Sequence, residues 1–363
     1  MCTIPATPPQ ATEIVTTLPP PSSILVTGGA GYIGSHASLR LLEAGCRVTV
    51  IDTLEHGHQE AVDVLRRHGD VEFVQADCGE QDTVCRLIHD RSIDTVMHFA
   101  AFCYVGESVE QPLKYYANNT GSSLHLLMAV ASMGVPRFVF SSTCATYGEP
   151  GPEHLPITEA CPQQPINPYG HSKLLVEHAL SAASETARRD GRPFAYANLR
   201  YFNVAGSDPG GRLGEDHDPE THLIPICLEA AQGRRDGVTI FGTDYDTPDG
   251  TCVRDYVHVS DLADAHVAVM NALEDGDARA YNVGTGRGTS VREILDAVRR
   301  VTGVDVPEAD GPRRPGDPPT LFNDPTRLRE ELGWTATHVD IDDIVRTAWR
   351  WMESHPDGWA TGV

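Results

Sequence analysis

Lysine is nearly missing from this chain: of 28 Lys and Arg residues, only Lys114 and Lys173 are lysines. Positive charge of any kind is scarce. A formal net charge of −23, with 51 Asp and Glu residues, argues against nucleic acid or an anionic membrane surface as partner, because both repel an acidic protein. The nine cysteines lie scattered with no Cys-x-x-Cys pair, which excludes a metal framework of that kind and suits reduced thiols in the cytoplasm. The sixteen histidines likewise show no zinc-ligand spacing, and no metal is expected. No apolar run approaches the roughly 20 residues that a membrane-spanning helix requires. Residues 1–22 are rich in Pro and Thr and lack both a basic start and an apolar core, so they are expected to be a flexible leader rather than a signal peptide.

In so lysine-poor a chain, the place of one lysine is informative. Tyr169 and Lys173, in the run Asn167-Pro168-Tyr169-Gly170-His171-Ser172-Lys173, share one face of a helix. An ammonium beside a tyrosine stabilises the phenolate and lowers its pKa from about 10 toward the range where it accepts protons at neutral pH. Such a pair can act as a base.

A second feature lies nearer the start. Ser23-Ile24-Leu25-Val26-Thr27 reads as a buried strand running into Gly28-Gly29-Ala30-Gly31-Tyr32-Ile33-Gly34, and a helical pattern follows. Gly28 and Gly31 permit a tight turn and close approach of a pyrophosphate, and Gly34 lets the helix pack on the strand. The helix N-terminus then faces the phosphates. The next strand, 47–51, ends in Asp52, where an acidic side chain can bond the adenosine ribose hydroxyls, favouring NAD over NADP.

Strands and helices keep alternating through 71–77, 95–101 and 137–142, which predicts an α/β fold: a Rossmann-like, doubly wound parallel sheet. Its ligands sit beyond the carboxyl ends of the strands. Past Asn203 the pattern breaks into Gly- and Pro-rich loops, so residues 23–202 are expected to form the dinucleotide-binding domain and 203–363 a smaller C-terminal α/β substrate lobe. Residues 307–319 read as plain connection.

Several segments appear in a familiar order: Val26-Thr27-Gly28-Gly29 through His36, His98-Phe99-Ala100-Ala101, Val105-Gly106-Glu107-Ser108, Tyr115-Tyr116-Ala117-Asn118-Asn119, Ser141-Ser142-Thr143, Tyr169 to Lys173, Leu199-Arg200-Tyr201-Phe202-Asn203, Arg254-Asp255-Tyr256 and Arg313-Arg314-Pro315-Gly316-Asp317. Over nearly all the chain after the leader, this resembles the extended short-chain dehydrogenases, and within them the UDP-glucose (UDP-galactose) 4-epimerases. The resemblance implies NAD in the first lobe, a UDP-sugar in the cleft between lobes, and a homodimer paired through helices, for which 122–133 and 171–185 are candidates. It makes Tyr169 the base on the sugar 4-hydroxyl, Lys173 the residue that tunes Tyr169 and bonds the nicotinamide ribose, and Thr143 a hydrogen-bond partner of the reacting oxygen. Along the cofactor it implies Tyr32 and Ile33 beside the glycines, Asp77 and Cys78 at the adenine end, and Phe99, Ala100, Ala101, Asn118, Ser141 and Tyr201 on the remaining path. On the substrate side it implies Arg254 and Arg314 for the diphosphate, with Asn203 and Asp317 as polar partners, His222 near the phosphates, and Leu223 and Phe241 toward uracil. Leu321 falls where the family sets the size of the sugar pocket.

The chain departs from the commoner pattern at four places: Cys103 and His171, where lysine is frequent, His222, often asparagine, and Leu321, which is neither the tyrosine that closes the pocket nor a small residue that opens it. The stretches Phe102-Cys103-Tyr104, Ser141 to Gly148 and Gly206 to Arg212 also resemble UDP-arabinose (UDP-xylose) 4-epimerases. Pentose and hexose differ by one hydroxymethyl, which such patterns separate poorly. A nucleotide-sugar 4,6-dehydratase needs an acid directly after the threonine, and Cys144-Ala145 stand there. A non-catalytic NAD-binding regulator would need no Thr143, Tyr169 and Lys173 set.

Overall fold

Short apolar runs bounded by glycine and charged turns become strands buried on both faces. The computed structural model describes residues 18–314 and 318–359. The first lobe alternates β1 (Ser23–Thr27), α1 (Tyr32–Glu43), β2 (Arg47–Asp52), α2 (Gln59–Arg66), β3 (Val71–Gln75), α3 (Gln81–Arg91) and β4 (Thr95–His98). After β4 come α4 (Val105–Glu110), α5 (Pro112–Tyr115), a π-helical turn over Tyr116–Ser122, α6 (Ser123–Met133), β5 (Arg137–Ser141), α7 (Pro168–Arg189) and β6 (Ala195–Tyr201). β1 lies mid-sheet with Ile24, Leu25 and Val26 fully buried, which is why it reads as a continuous apolar run rather than an alternating one.

All strand pairs of the large sheet are parallel, in the order β3-β2-β1-β4-β5-β6. The winding reverses between β1 and β4. Helices on either face force the loops leaving those two strands apart, and the crevice this opens is where such sheets bind ligands.

The second lobe holds β7 (Asn203–Ala205), α8 (Leu223–Ala231), β8 (Val238–Phe241), β9 (Val253–His258), α9 (Val259–Ala272), β10 (Ala278–Val283), β11 (Gly288–Ser290), α10 (Val291–Thr302), β12 (Glu308–Gly311), β13 (Thr320–Leu321), α11 (Thr326–Leu332) and α12 (Ile341–Ser354). β9 pairs with β7, β11 and β13, while β8 pairs with β12. The expected division at 202 and 203 is not a clean cut: β10 pairs along β6 as the seventh strand of the large sheet, and α9 packs on α1. Left alone, β6 would present an open hydrogen-bonding edge, and the returning chain covers it. The expected connection at 307–319 also carries structure, since Glu308–Gly311 pairs with β8; residues 315–317 lie outside the described part.

Residues 1–17 of the expected leader are likewise outside the described residues. Its end is tied down, because Arg137 Nη2 donates to the Pro19 carbonyl at 2.6 Å and the Ser22 amide donates to Asp94 at 2.8 Å. Among the described residues, no helix is long and apolar enough to cross a membrane.

Candidate active site

Glycine is required twice in the turn after β1. Gly28 has φ +71°, and a Cβ there would lie 2.6 Å from the Ala100 amide nitrogen; a Cβ on Gly34 would lie 2.1 Å from the Gly28 carbonyl. Gly31 differs: its Cβ would meet only the Gly28 carbonyl, at 3.4 Å. The space it leaves opens into a cavity of about 400 Å³ lined by Gly28, Gly31, Tyr32, Ile33 and Gly34. α1 starts there with no side-chain cap, so its first amides remain available to an anion. At the end of β2, Asp52 accepts hydrogen bonds from the Ala30 amide at 3.0 Å and the Leu54 amide at 2.9 Å, which fix its carboxylate at the cavity wall. Asp77, Cys78, Phe99, Ala100, Ala101, Asn118 and Tyr201 line the same cavity. An uncapped helix start, a glycine gap and a fixed carboxylate fit a dinucleotide.

Ser141 is the exception among the expected cofactor contacts. It is buried behind the wall, where its carbonyl accepts from Lys173 Nζ at 2.9 Å and its hydroxyl shares a 2.6 Å hydrogen bond with the Tyr201 hydroxyl. Its place is to hold Lys173 and Tyr201, which do line the cavity.

Thr143, Tyr169 and Lys173 meet on one wall. α7 begins at an Asn167 cap whose side chain accepts from the Gly170 amide at 2.8 Å. Gly170 lets that helix start press on the loop after β5: a Cβ would lie 2.4 Å from the Ala145 carbonyl. The Thr143 hydroxyl, which accepts from the Ala145 amide at 3.1 Å, is thereby held on the same cavity wall as Tyr169. Burial pushes the Tyr169 phenol well above its ordinary pKa, and the nearby Thr143 hydroxyl only partly offsets it. This corrects the expectation that Lys173 by itself brings the phenol toward neutrality: the ammonium is turned to the Ser141 carbonyl, and desolvation dominates. Burial lowers Lys173 to about 8, so it still carries charge at neutral pH.

Of the expected substrate contacts, Asn203 and His222 reach the cavity wall. Leu223, Phe241, Arg254, Arg314 and Leu321 lie beyond it, in the second lobe, as two pairs and a helix start. Arg254 and Leu321 are register partners across β9 and β13, the Arg314 guanidinium lies 4.1 Å over the Phe241 ring, and Leu223 opens α8. Asp317 is outside the described residues.

Other functional groups were hidden from sequence reading. Asn119, in the π-helical turn, accepts from the Phe102 amide at 2.9 Å and donates to the Phe102 carbonyl and the Ser172 hydroxyl, pinning the loop after β4 to α7. The Asn118-Asn119 pair was its only signal. Glu215, His217, Glu220 and His222 bring four potential ligand atoms within 4.8 Å of one another, although their spacing matches no zinc pattern.

Residues 24–284 match the NAD dependent epimerase/dehydratase family. The UDP-glucose 4-epimerase of Lacticaseibacillus casei is 48% identical over 338 residues, spanning 93% of this chain and 98% of that protein. The probable UDP-arabinose 4-epimerase 1 of Oryza sativa subsp. japonica is also 48% identical, over 344 residues, spanning 93% of this chain and 80% of that one. The crystal structure of UDP-glucose 4-epimerase from Brucella ovis in complex with NAD superposes with a TM-score of 0.83 at 48% identity, covering 90% of this chain and 97% of that chain.

Proposed function

The chain belongs to the NAD dependent epimerase/dehydratase family, and from that membership and the cleft wall carrying Thr143, Tyr169 and Lys173 we propose that it interconverts UDP-glucose and UDP-galactose by inverting C4 through a 4-keto sugar. That three-residue wall, facing the glycine turn across one cavity, is the observation that carries the reading. When bound, NAD would supply the hydride acceptor and donor for C4. Tyr169 takes the proton of the sugar 4-hydroxyl and later returns it, with the Thr143 hydroxyl placed to share the charge. Lys173, whose ammonium donates to the Ser141 carbonyl, would bond the nicotinamide ribose of NAD. Both faces of C4 must meet the cofactor in turn, so binding has to come from the nucleotide half. Arg254 and Arg314 suit the diphosphate, Asn203, His222 and Asp317 its surroundings, and Leu223 and Phe241 the uracil, with Leu321 bounding the sugar.

Dehydration is disfavoured by Cys144 and Ala145. Burial pushes the Cys144 thiol up to about 12, leaving neither an acid nor a base in the right range after Thr143. A pentose reading, UDP-xylose to UDP-arabinose, has one observation in its favour: the rice relative is as similar as the bacterial one. A homodimer through α6 and α7 fits the exposed apolar side chains there, Leu124, Met128 and Met133 on one helix and Leu175 on the other. Unpaired cysteines, Cys103 exposed among them, favour a cytoplasmic setting.

The test is incubation with UDP-galactose and, separately, UDP-xylose, without added reductant, followed by chromatographic separation of the C4 epimers. UDP-glucose as the faster-formed product supports the proposal. Faster UDP-arabinose formation moves the protein to the pentose reading, and no epimer from either sinks both.

A further inference from the structure

The loop between β7 and α8 carries Glu215, His217, Glu220 and His222 on one short stretch, and their side chains converge. His222 Nδ1 lies 3.0 Å from a carboxylate oxygen of Glu215 and 3.0 Å from one of Glu220. His217 Nδ1 lies 3.3 Å and 3.6 Å from the same two carboxylates. Donors about 2.0–2.1 Å from a tetrahedral metal stand roughly 3.3 Å apart, so these separations are close to the edges of such a tetrahedron.

Hydrogen bonding among the four does not account for the arrangement equally well. His217 Nδ1 is buried and has no aligned hydrogen bond, although it faces two carboxylates. The imidazole centroids are 5.1 Å apart. The carboxylates of Glu215 and Glu220 are themselves nearly buried, their side chains 7% and 5% exposed. Two carboxylates taken out of water call for a counter-charge, and a divalent cation supplies it from one point.

We propose that Glu215, His217, Glu220 and His222 bind a divalent transition-metal ion of the zinc type, which fastens the 215–222 loop as a wall of the cleft. Two imidazoles and two carboxylates suit this class of ion better than magnesium or calcium. Four protein ligands without an open position mark a structural rather than a catalytic ion. The supporting contacts are in place: the Thr221 and His222 amides both donate to Glu220 at 2.7 Å, and Tyr32 and Tyr104 pack edge-on against His217. Tyr32 also donates to the Gly206 carbonyl at 2.5 Å, so the loop is tied to the first turn of α1 as well.

The decisive experiment uses untagged full-length protein, stripped with EDTA and titrated with zinc chloride by calorimetry, with bound metal counted by mass spectrometry. About one equivalent per chain is expected, with proton release, a raised melting temperature, and affinity at least 100-fold weaker in the His217→Gln/Glu220→Gln variant. If that variant does not fold, His222→Asn, at a half-exposed position, is expected to weaken zinc binding at least tenfold. No stoichiometric zinc in the wild type, or unchanged affinity in a folded variant, overturns the proposal.

Discussion

Arg200 and Glu177 form a buried, forked ion pair behind the wall that carries Thr143, Tyr169 and Lys173, with Arg200 Nη2 2.6 Å and Nε 3.0 Å from the two carboxylate oxygens. Glu177 sits one turn beyond Lys173 on α7 and also accepts from the Ser142 hydroxyl at 2.5 Å, beside Thr143. The pair thus joins the helix bearing Tyr169 and Lys173 to the loop bearing Thr143. Glu177→Gln leaves the guanidinium buried without a counter-charge and is expected to cost about 3–5 kcal/mol in urea unfolding. A loss under about 1 kcal/mol would show that the pair braces nothing.

Tyr169→Phe removes the proposed proton acceptor but keeps the ring, which packs with Phe102 and Tyr115. Turnover should fall at least about 100-fold while NAD content and melting temperature stay near wild type. Thr143→Ala should lower kcat about tenfold or more, with KM less affected. Retained turnover in the phenylalanine variant would remove Tyr169 from the chemistry.

Gly170→Ala places a methyl group 2.4 Å from the Ala145 carbonyl, a backbone atom with little room to yield. The start of α7 then has to move off the Thr143 loop, at an expected cost of about 1–3 kcal/mol and with a fall in kcat exceeding any loss of NAD. Wild-type kinetics in this variant would mean that the Thr143–Tyr169 contact does not depend on this close approach.

Four buried histidines are held neutral: burial lowers His98 and His258 to about 3, and His36 and His266 to about 4. Their unfolded value is near 6.5, so below that pH the unfolded chain takes up protons that the folded protein refuses. The contribution of these four to stability should be level above about pH 7 and fall from pH 6.5 toward pH 4, by up to about 1.4 kcal/mol per unit for each histidine. Urea unfolding at pH 7.5, 6.0 and 5.0 measures this, and equal stability at 7.5 and 5.0 would contradict it.

The amino-acid sequence by itself determined the parallel sheet, the dinucleotide turn with Asp52 after it, and the pairing of Tyr169 with Lys173. Each depends on short-range order: apolar runs, glycines at fixed spacing, or two residues one helical turn apart. The tertiary structure decided what depends on contacts between distant segments or on exclusion of water. It returned β10 to the edge of β6, put Ser141 behind the wall rather than on it, set Arg254 opposite Leu321, and gathered Glu215, His217, Glu220 and His222 around one point. It also buried the Tyr169 phenol, which raises its pKa, and no spacing in a sequence records how deeply a side chain is buried.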